Sequence, residues 1–282
     1  MKRRYKAGAV LVWTGIFILL AVAAFYNGLT VKKYTVNTDK LSSGKIIKVV
    51  AVSDLHGCVY GENQEDIVSL VEKQNPDIIL LAGDMVDRES PIEGVELFLA
   101  GIKEIAPVYY VTGNHEIWTG EVEYIKKTFR KYGVKVLEHS YESLKLKNSH
   151  IIIGGVDDPD IENYWDNGAD WIKQMHEAFA GLRGKPGFKI LLTHRPEFIE
   201  VYKRFDFDLV VSGHTYGGQV RIQFFINGLY APNQGWFPEY AGGMYRHGEL
   251  THIVCRCVSI DARMPRIFNP PEIAVIDIRG TG

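Results

Sequence analysis

Cysteine is scarce in this chain of 282 residues, which contains only Cys58, Cys255 and Cys257. Their spacing forms no recognisable zinc-binding pattern, and an odd number leaves at least one of them without an intrachain disulfide partner. We therefore expect the three thiols to be buried and unreactive.

The chain also lacks a strong net charge, a long basic run and any internal repeat. Its formal net charge is −2, and the only basic cluster lies in the first six residues. Proteins that bind nucleic acids neutralise phosphates with clustered lysine and arginine, so we expect no nucleic-acid partner. The charge balance does not exclude a small anionic ligand. With 46% hydrophobic and 23% charged residues, the composition indicates one globular domain and argues against disorder.

The N-terminal segment differs from this globular composition, because residues 7–26 carry no charged side chain. A helix of about 20 apolar residues can cross a bilayer. We predict a cytoplasmic tip and transmembrane anchor over residues 1–28, followed by a domain over residues 29–282 on the outer face of the cell membrane, since the basic residues precede the segment. A cleaved signal peptide and a secreted domain are the alternative, because residues 21–23 fit a small-x-small cleavage site.

Beyond this segment, short apolar runs alternate with helical patterns. The runs IIKVVAVS, DIILLAG and VYYVT predict buried strands, and NQEDIVSLVEKQ, with Asn63 as its potential cap, and IEGVELFLAGIKEI predict the helices between them. We also predict an edge strand over residues 29–36, hairpins over residues 134–153, and strands in KILLTH, DLVVSGH, LTHIVCRCVSI and EIAVIDI. The pattern indicates an α/β fold with two packed sheets and outer helices.

Five apolar runs end in potential metal ligands. In chain order these are Asp54 and His56, Asp84 and Asp87, Asn114 and His115, His194, and His214. A lone aspartate after a strand often caps a helix, and a lone histidine often packs in the core. Because the carboxyl ends of strands in α/β sheets form the ligand crevice, five such events indicate one shared metal site. The mixture of carboxylate, imidazole and amide oxygen suits two divalent ions that activate water and hold a phosphoryl group.

The remaining histidines lie outside these strand ends, and we expect them to have packing or surface roles. They are His139, His150, His176, His247 and His252.

The motifs SDLH, GDMVD, GNHE, THRPE and GHTYGGQ, in that order, resemble those of the calcineurin-like metallophosphoesterases. The chain is similar in particular to the bacterial membrane-anchored branch that includes the UDP-diacylglucosamine hydrolases. The resemblance covers nearly everything after the apolar segment and implies a four-layer α/β/β/α sandwich. It also implies a metal-dependent phosphoric ester hydrolase with two divalent ions, manganese, zinc or iron, which acts on a phosphodiester or pyrophosphate in a lipid-linked or envelope substrate.

The resemblance further implies a role for each site residue. Asp54 and His56 would bind the first ion, Asp84 would bridge both ions, Asn114, His194 and His214 would complete the second site, and His115 would stand beside the phosphate. Asp84 and His115 would then be the catalytic residues, with a bridging hydroxide as nucleophile and His115 as general acid or charge stabiliser.

The sequence departs from the family pattern at two places. The family has a second histidine two residues after His214, where this chain has Tyr216. Three interpretations stay open: a weakened first metal site that still supports turnover, Tyr216 as a phenolate ligand of a strongly acidic ion such as ferric iron, or a degenerate site in a non-catalytic ligand-binding protein. In addition, Cys257 of CRCVS replaces a glycine that would let the backbone approach the site.

Two aromatic and glycine-rich loops, residues 157–171 and 228–248, are the sequence features that bear on the substrate. Their side chains either cover the core or face the crevice. The aromatic residues concerned are Trp165, Trp171, Trp236 and Phe237. Arg88, Arg195 and Arg221 are candidates for phosphate contact, with surface ion pairing as the equal alternative.

Overall fold

The computed structural model describes residues 2–165, 170–222, 225–259 and 264–282, and for residues 2–10 and Trp165 the backbone alone. The helices are α1 Lys2–Ala24, α2 Glu65–Glu72, α3 Glu93–Ile102, α4 Asn114–Trp118, α5 Val122–Lys131, α6 Ile161–Trp165, α7 Trp171–Phe179 and α8 Ile199–Tyr202. The strands are β1 Thr30–Thr38, β2 Ile46–Val52, β3 Ile78–Ala82, β4 Val108–Val111, β5 Lys135–Val136, β6 Ser140–Leu146, β7 Ser149–Gly155, β8 Phe188–Leu192, β9 Leu209–Ser212, β10 Tyr230–Ala231, β11 Gly235–Trp236, β12 Gly243–His247, β13 Leu250–Val254 and β14 Glu272–Gly280.

Two six-stranded sheets form the body of the protein. The first has the order β1-β14-β2-β3-β4-β5, and its last four strands are parallel. The second has the order β12-β13-β9-β8-β7-β6, with β7, β8, β9 and β13 parallel. The mixed α/β fold with two sheets that the sequence predicts is therefore confirmed, including an edge position for β1.

Alternation along the central strands explains the layering. In β2, Val49 and Ala51 pack into a cluster that contains residues of both sheets, whereas Val50 and Val52 pack against α2, α3 and α5. A third cluster joins the second sheet to α7 and α8. Because both faces of these strands are covered, their sequences are continuously apolar, and the packing order is helices, sheet, sheet, helices.

Local predictions were wrong at two places. Asn63 does not cap a helix, because its φ of 54° places it in the left-handed region one residue before Gln64, which has a φ of 69°. The Gln64 side chain instead donates to the carbonyl of Gly94 at 2.8 Å and so ties this turn to α3. In the region predicted as hairpins, only β6 and β7 pair as one, since β5 joins β4 in the first sheet.

The prediction of a transmembrane helix is not supported. Within the part of the chain that the structure describes, no helix is both long enough and apolar enough to cross a membrane.

The C-terminal end of α1 contacts the folded domain. The backbone N–H of Phe268 donates to the carbonyl of Ala24 at 2.8 Å, and Ala24 is buried. Earlier along the helix, Leu11, Trp13 and Phe17 are 74%, 70% and 72% exposed. Among the α1 side chains that the structure describes, those of residues 11–24, only Ala24 is buried, and this part of the helix leaves a large apolar surface uncovered.

Candidate metal centre

The five strand ends meet at one edge of the two sheets, as the sequence predicts. Four of the residues there have a left-handed backbone, with φ of 56° at Asp54, 49° at His56, 52° at Asp84 and 72° at His214. Such a conformation costs an L-residue roughly 1–2 kcal/mol and tends to cluster at functional sites. The sharp turns aim the side chains of these residues inward, past the ends of the strands.

Asp84 lies at the centre of the site and is almost fully buried. One carboxylate oxygen, Oδ1, accepts from the backbone N–H of His115 at 2.8 Å. The other, Oδ2, lies 3.1 Å from Nε2 of His194 and 3.8 Å from Nε2 of His56. Gly113 is required beside it, since a Cβ there would approach Oδ1 of Asp84 to 2.2 Å. Asp84 thus faces both groups of potential ligands.

The first group joins Asp54, His56 and Asp84, with Nε2 of His56 at 3.9 Å from Oδ1 of Asp54. Atoms that bind one ion at about 2.1 Å lie roughly 3–4 Å from each other. Tyr216 occupies the place of the expected histidine, and its hydroxyl lies 2.6 Å from Nε2 of His56. The ring of His115 packs edge-on against that of His56, with centroids 4.5 Å apart.

The second group consists of Asp84, His194 and His214, whose ligand atoms all lie within 4.8 Å of one another. Nδ1 of His214 lies 3.1 Å from Nε2 of His194. Asn114 is buried at the start of α4, and its chain neighbours Gly113 and His115 both contact Asp84. All six residues predicted to bind metal are therefore gathered at this edge in two overlapping groups.

The ring orientation of each histidine suits metal binding. Nδ1 of His56 is bonded to Asp87 at 2.9 Å, and Nδ1 of His194 to the Ala82 carbonyl at 2.7 Å. Nε2 of His214 is bonded to Oδ1 of Asn233 at 2.8 Å. When a ring is neutral, as metal binding requires, the acceptor takes its N–H and the inward nitrogen keeps a lone pair for the ion.

Among the buried side-chain oxygens of the described residues that lack a hydrogen-bond partner, three belong to predicted metal ligands: Oδ1 of Asp54, Oδ2 of Asp84 and Oδ1 of Asn114. A buried polar atom without a partner costs about 1–3 kcal/mol, and such atoms are rare in folded proteins. Divalent cations held by the two ligand groups would satisfy all three. The donor set of carboxylate, amide oxygen and imidazole therefore fits two hard or borderline ions such as manganese, zinc or iron.

Asp87 connects the first group to His115, which the resemblance places beside the phosphate. Its Oδ2 lies 2.9 Å from Nδ1 of His56 and also 2.9 Å from Nδ1 of His115. The hydrogen bond from His56 holds the pKa of Asp87 well below its usual range. The sequence marks Asp87 as a strand-end carboxylate, three residues after Asp84, but only the structure shows this bridging position.

Charges within the site shift the pKa values in opposite directions. Burial lowers the pKa of His194, but the adjacent Asp84 outweighs burial and raises it to about 10. Burial, reinforced by the positive charges of His194 and Arg195, moves the pKa of His214 well below its ordinary value. Burial by itself would raise the pKa of Asp84, but the adjacent His194 keeps the pKa of Asp84 far below the ordinary value. The site thus holds Asp84 as a carboxylate.

Glu116 organises the backbone around Asp84. Its carboxylate accepts from the N–H groups of Asp84 at 2.9 Å, Val86 at 2.8 Å and Gly113 at 2.7 Å. Burial and the neighbouring charge of Asp84 raise its pKa to about 7. We did not predict this residue, although it completes the GNHE motif and stands at the third position of α4, where a glutamate often reaches back to the helix start.

Asn233 also escaped prediction, because nothing in its local sequence distinguishes it from a turn residue. It lies between β10 and β11 with a φ of 60°, and this short hairpin brings it to His214. On the same hairpin Trp236 and the following Phe237 are 67% and 68% exposed, whereas Trp171 is buried in the core. Trp165 has its side chain outside the described part of the chain.

The three candidate arginines have different surroundings. Arg195 is buried and its Nε donates to Asp158 at 2.6 Å, while its Nη1 lies 3.5 Å from Nε2 of His214. Arg88 is exposed on a cleft of about 320 Å³ that also contains Asp87. Arg221 lies in a separate groove described below.

Cys257 is fully buried, has a φ of 64°, and its sulfur accepts from the N–H of Tyr216 at 3.2 Å. Burial raises the pKa of its thiol well above the ordinary value. Cys255 is likewise buried with a raised pKa, whereas Cys58 is partly exposed. The left-handed backbone explains why a glycine suits this position, and the structure accommodates cysteine there.

Comparison with known proteins agrees with this geometry. The model of the calcineurin-like phosphoesterases matches residues 47–218. An uncharacterized metallophosphoesterase of Aquifex aeolicus is 31% identical over 262 residues, which cover 90% of this chain and 93% of that protein. A transmembrane protein with metallophosphoesterase domain from Danio rerio is 30% identical over 221 residues, covering 73% of this chain and 47% of its own.

A solved structure shares the fold. NAD nucleotidase of Haemophilus influenzae superposes with a TM-score of 0.51 at 14% identity, over 76% of this chain and 46% of its own, a likeness that shows the fold alone. With its family model matched over more than half of its length and its ligand-bearing strand ends gathered at one site, the chain belongs to the calcineurin-like phosphoesterase family.

Proposed function

We propose that the protein hydrolyses a phosphodiester or pyrophosphate with two divalent metal ions held at the candidate metal centre. The observation that carries this proposal is the convergence of three buried oxygens without hydrogen-bond partners on the inward nitrogens of three histidines. Bound there, the ions would activate water and neutralise charge on the phosphoryl group.

The protein's own residues supply orientation and a proton. Asp84 contacts a histidine of each ligand group, so it fixes the position of the two groups relative to each other. Asp87 fixes the ring of His115 by its Nδ1, and Nε2 of His115 is then free to stabilise negative charge or to protonate the leaving oxygen.

A second candidate function is ligand binding without turnover, and one observation favours it. The Tyr216 hydroxyl occupies the hydrogen-bonding position of His56 Nε2, which is the atom expected to bind the first ion. If this hydrogen bond persists, the first ion must compete with it. If the hydrogen bond excludes the first ion, one ion remains and the protein binds its ligand without turnover, whereas an ion that displaces the hydroxyl leaves an enzyme that needs a higher metal concentration.

We further propose a lipid-linked or envelope substrate and a membrane location for the protein. The exposed Trp236 and Phe237 next to the Asn233 turn offer apolar surface beside the site. The exposed apolar surface of α1 offers a means of attachment to a membrane. Resemblance to UDP-diacylglucosamine hydrolases and similarity to the Danio rerio transmembrane protein point in the same direction.

The direct test is hydrolysis of bis-p-nitrophenyl phosphate by the full-length chain in detergent, stripped with a chelator and reloaded with manganese, zinc or iron. We expect metal-dependent turnover that Asp84→Asn lowers by at least about 100-fold. Asp277→Asn, which removes a carboxylate bonded to Arg279 on β14, is the matched control and should leave the rate unchanged. Absence of turnover in the native chain and also in Tyr216→His, with every metal, would reject the enzyme and leave the binding function.

A further inference from the structure

A groove of about 960 Å³ lies where α1 meets the folded domain. We name it the α1 groove and define it by Tyr26 after α1, Lys32 of β1, Arg221, Arg256 and Phe268. These residues are separate from the candidate metal centre, and neither the family nor the proposed hydrolysis gives the groove a function.

The α1 groove carries an excess of positive charge. Arg256 is neutralised by Glu272, whose carboxylate accepts from its Nε at 2.6 Å. Arg221, in contrast, donates to two backbone carbonyls and to the amide oxygen of Asn227. Within the described ranges of the chain, neither Arg221 nor Lys32 forms an ion pair with a carboxylate.

The environment of Arg221 makes an anion favourable there. Burial, together with the nearby charge of Arg256, lowers the pKa of Arg221. Glu272 is the anionic partner of Arg256, and a negatively charged group in the groove would supply such a partner for Arg221. The bonds described above use three of the five N–H groups of Arg221, which leaves donors for a phosphate oxygen.

Apolar side chains surround these cations. Phe225, Ile222 and Phe268 are 87%, 43% and 42% exposed, and all three line the α1 groove. Phe268 also joins this surface to α1, because its N–H bonds the carbonyl of Ala24. Ala23, at the end of α1, and Tyr26 line the same groove, so the apolar rim adjoins the end of α1. Cations beneath an apolar rim are the arrangement by which proteins hold acidic lipids at a membrane surface.

We propose that the α1 groove binds the headgroup of an acidic membrane phospholipid. The phosphate lies against Arg221 and Lys32, and the start of the acyl chains lies on Phe225, Ile222 and Phe268. A free phosphate would use the cations and leave this apolar rim unused, whereas a neutral lipid would use the rim and leave the cations unpaired. Only an acidic lipid matches both halves of the α1 groove.

The test uses the full-length protein in a non-ionic detergent and isothermal titration with three soluble probes, below their micelle concentrations. They are dihexanoyl phosphatidylglycerol, dihexanoyl phosphatidylcholine and inorganic phosphate. We expect phosphatidylglycerol to bind at least about tenfold more tightly than either of the others. Because no substrate is hydrolysed in this experiment, its outcome is independent of the proposed enzymatic function.

Variants locate the binding. Arg221→Gln and Lys32→Gln should each weaken phosphatidylglycerol binding, by roughly tenfold for the arginine. Lys33→Gln, which removes the same charge from the next residue of β1 outside the α1 groove, should change nothing. Lys32 is exposed, so its variant keeps the test valid even if Arg221→Gln fails to fold.

Three results would overturn the proposal. Equal affinity for phosphatidylcholine would show an apolar contact with no recognition of charge. Equal affinity for inorganic phosphate would show a site for free anions. An equal loss in Lys32→Gln and Lys33→Gln would show general attraction to the basic surface, without a defined site.

Discussion

The hydroxyl oxygen of Tyr216 lies 2.6 Å from Nε2 of His56, although 160 residues of sequence separate them. In neutral His56 the Nδ1–H is committed to Asp87, so Nε2 is the acceptor and the tyrosine hydroxyl is the donor. The contact therefore uses the same lone pair that the first metal ion would need. Occupation of the first metal site and this hydrogen bond exclude one another unless Tyr216 itself becomes a ligand.

Substitution of Tyr216 distinguishes a competitor from a ligand. If the hydroxyl competes, Tyr216→Phe should tighten binding of the second metal equivalent by roughly fivefold, since a typical hydrogen bond contributes about 1 kcal/mol. Tyr216→His should retain two ions per chain after gel filtration, measured by mass spectrometry of the metals. Weaker binding in Tyr216→Phe, with loss of a visible phenolate-to-iron absorption band that the native ferric protein shows, would instead identify Tyr216 as a ligand.

Removing the charge of Asp87 should impair both rings that it contacts. Asp87→Asn keeps the shape of the side chain but takes away the carboxylate shared by His56 and His115. We expect a loss of about 10- to 100-fold in metal-dependent turnover, measured as kcat with saturating metal. Glu89→Gln, at an exposed position two residues along, is the control. An unchanged rate in Asp87→Asn would mean that the rings are oriented by packing alone.

Glu116 is expected to support the centre through the backbone. Glu116→Gln keeps one carbonyl oxygen but replaces the other with an NH₂ group, which faces N–H donors that previously had an acceptor. A buried donor without a partner costs about 1–3 kcal/mol, and urea unfolding should show a loss of that size. Metal affinity should fall together with stability, because the Glu116 carboxylate holds the backbone N–H of Asp84 in place. Glu121→Gln is an exposed control with no predicted effect.

His252 should make stability depend on pH. It is fully buried with Nε2 bonded to Ser212, and burial lowers its pKa from 6.5 to about 3. Between pH 6.5 and about 3, His252 is protonated in the unfolded chain but neutral in the folded chain. Protonation therefore stabilises the unfolded state, and the free energy of unfolding is highest above pH 6.5 and falls as the pH is lowered toward 3. The loss reaches about 5 kcal/mol at most.

The check is the free energy of unfolding as a function of pH, compared between the native chain and His252→Gln. The difference between the two curves should shrink between pH 6.5 and 4, whereas the exposed His150→Gln should follow the native curve. Parallel curves for the native chain and His252→Gln would show that His252 is protonated in the folded protein.

Much of the fold and most of the candidate site follow from the sequence alone. Buried parallel strands are continuously apolar, so their ends are visible in the sequence, and ligand-type residues at those ends identify Asp54, Asp84 and His214 without coordinates. The order of the motifs then indicates the family. The caps and pairings that failed, such as Asn63 and β5, depend on contacts between distant segments, which local patterns do not contain.

Only the tertiary structure decided how the outer contacts of the site are arranged. Asn233 reaches His214 because a two-stranded hairpin folds back over the sheet edge, and Asp87 serves two rings because separate strand ends converge on it. The sequence by itself determined which residue types stand at the strand ends, since that is a matter of local periodicity. It did not determine that the Tyr216 hydroxyl would bond to His56, because that hydrogen bond depends on the packing of one sheet against the other.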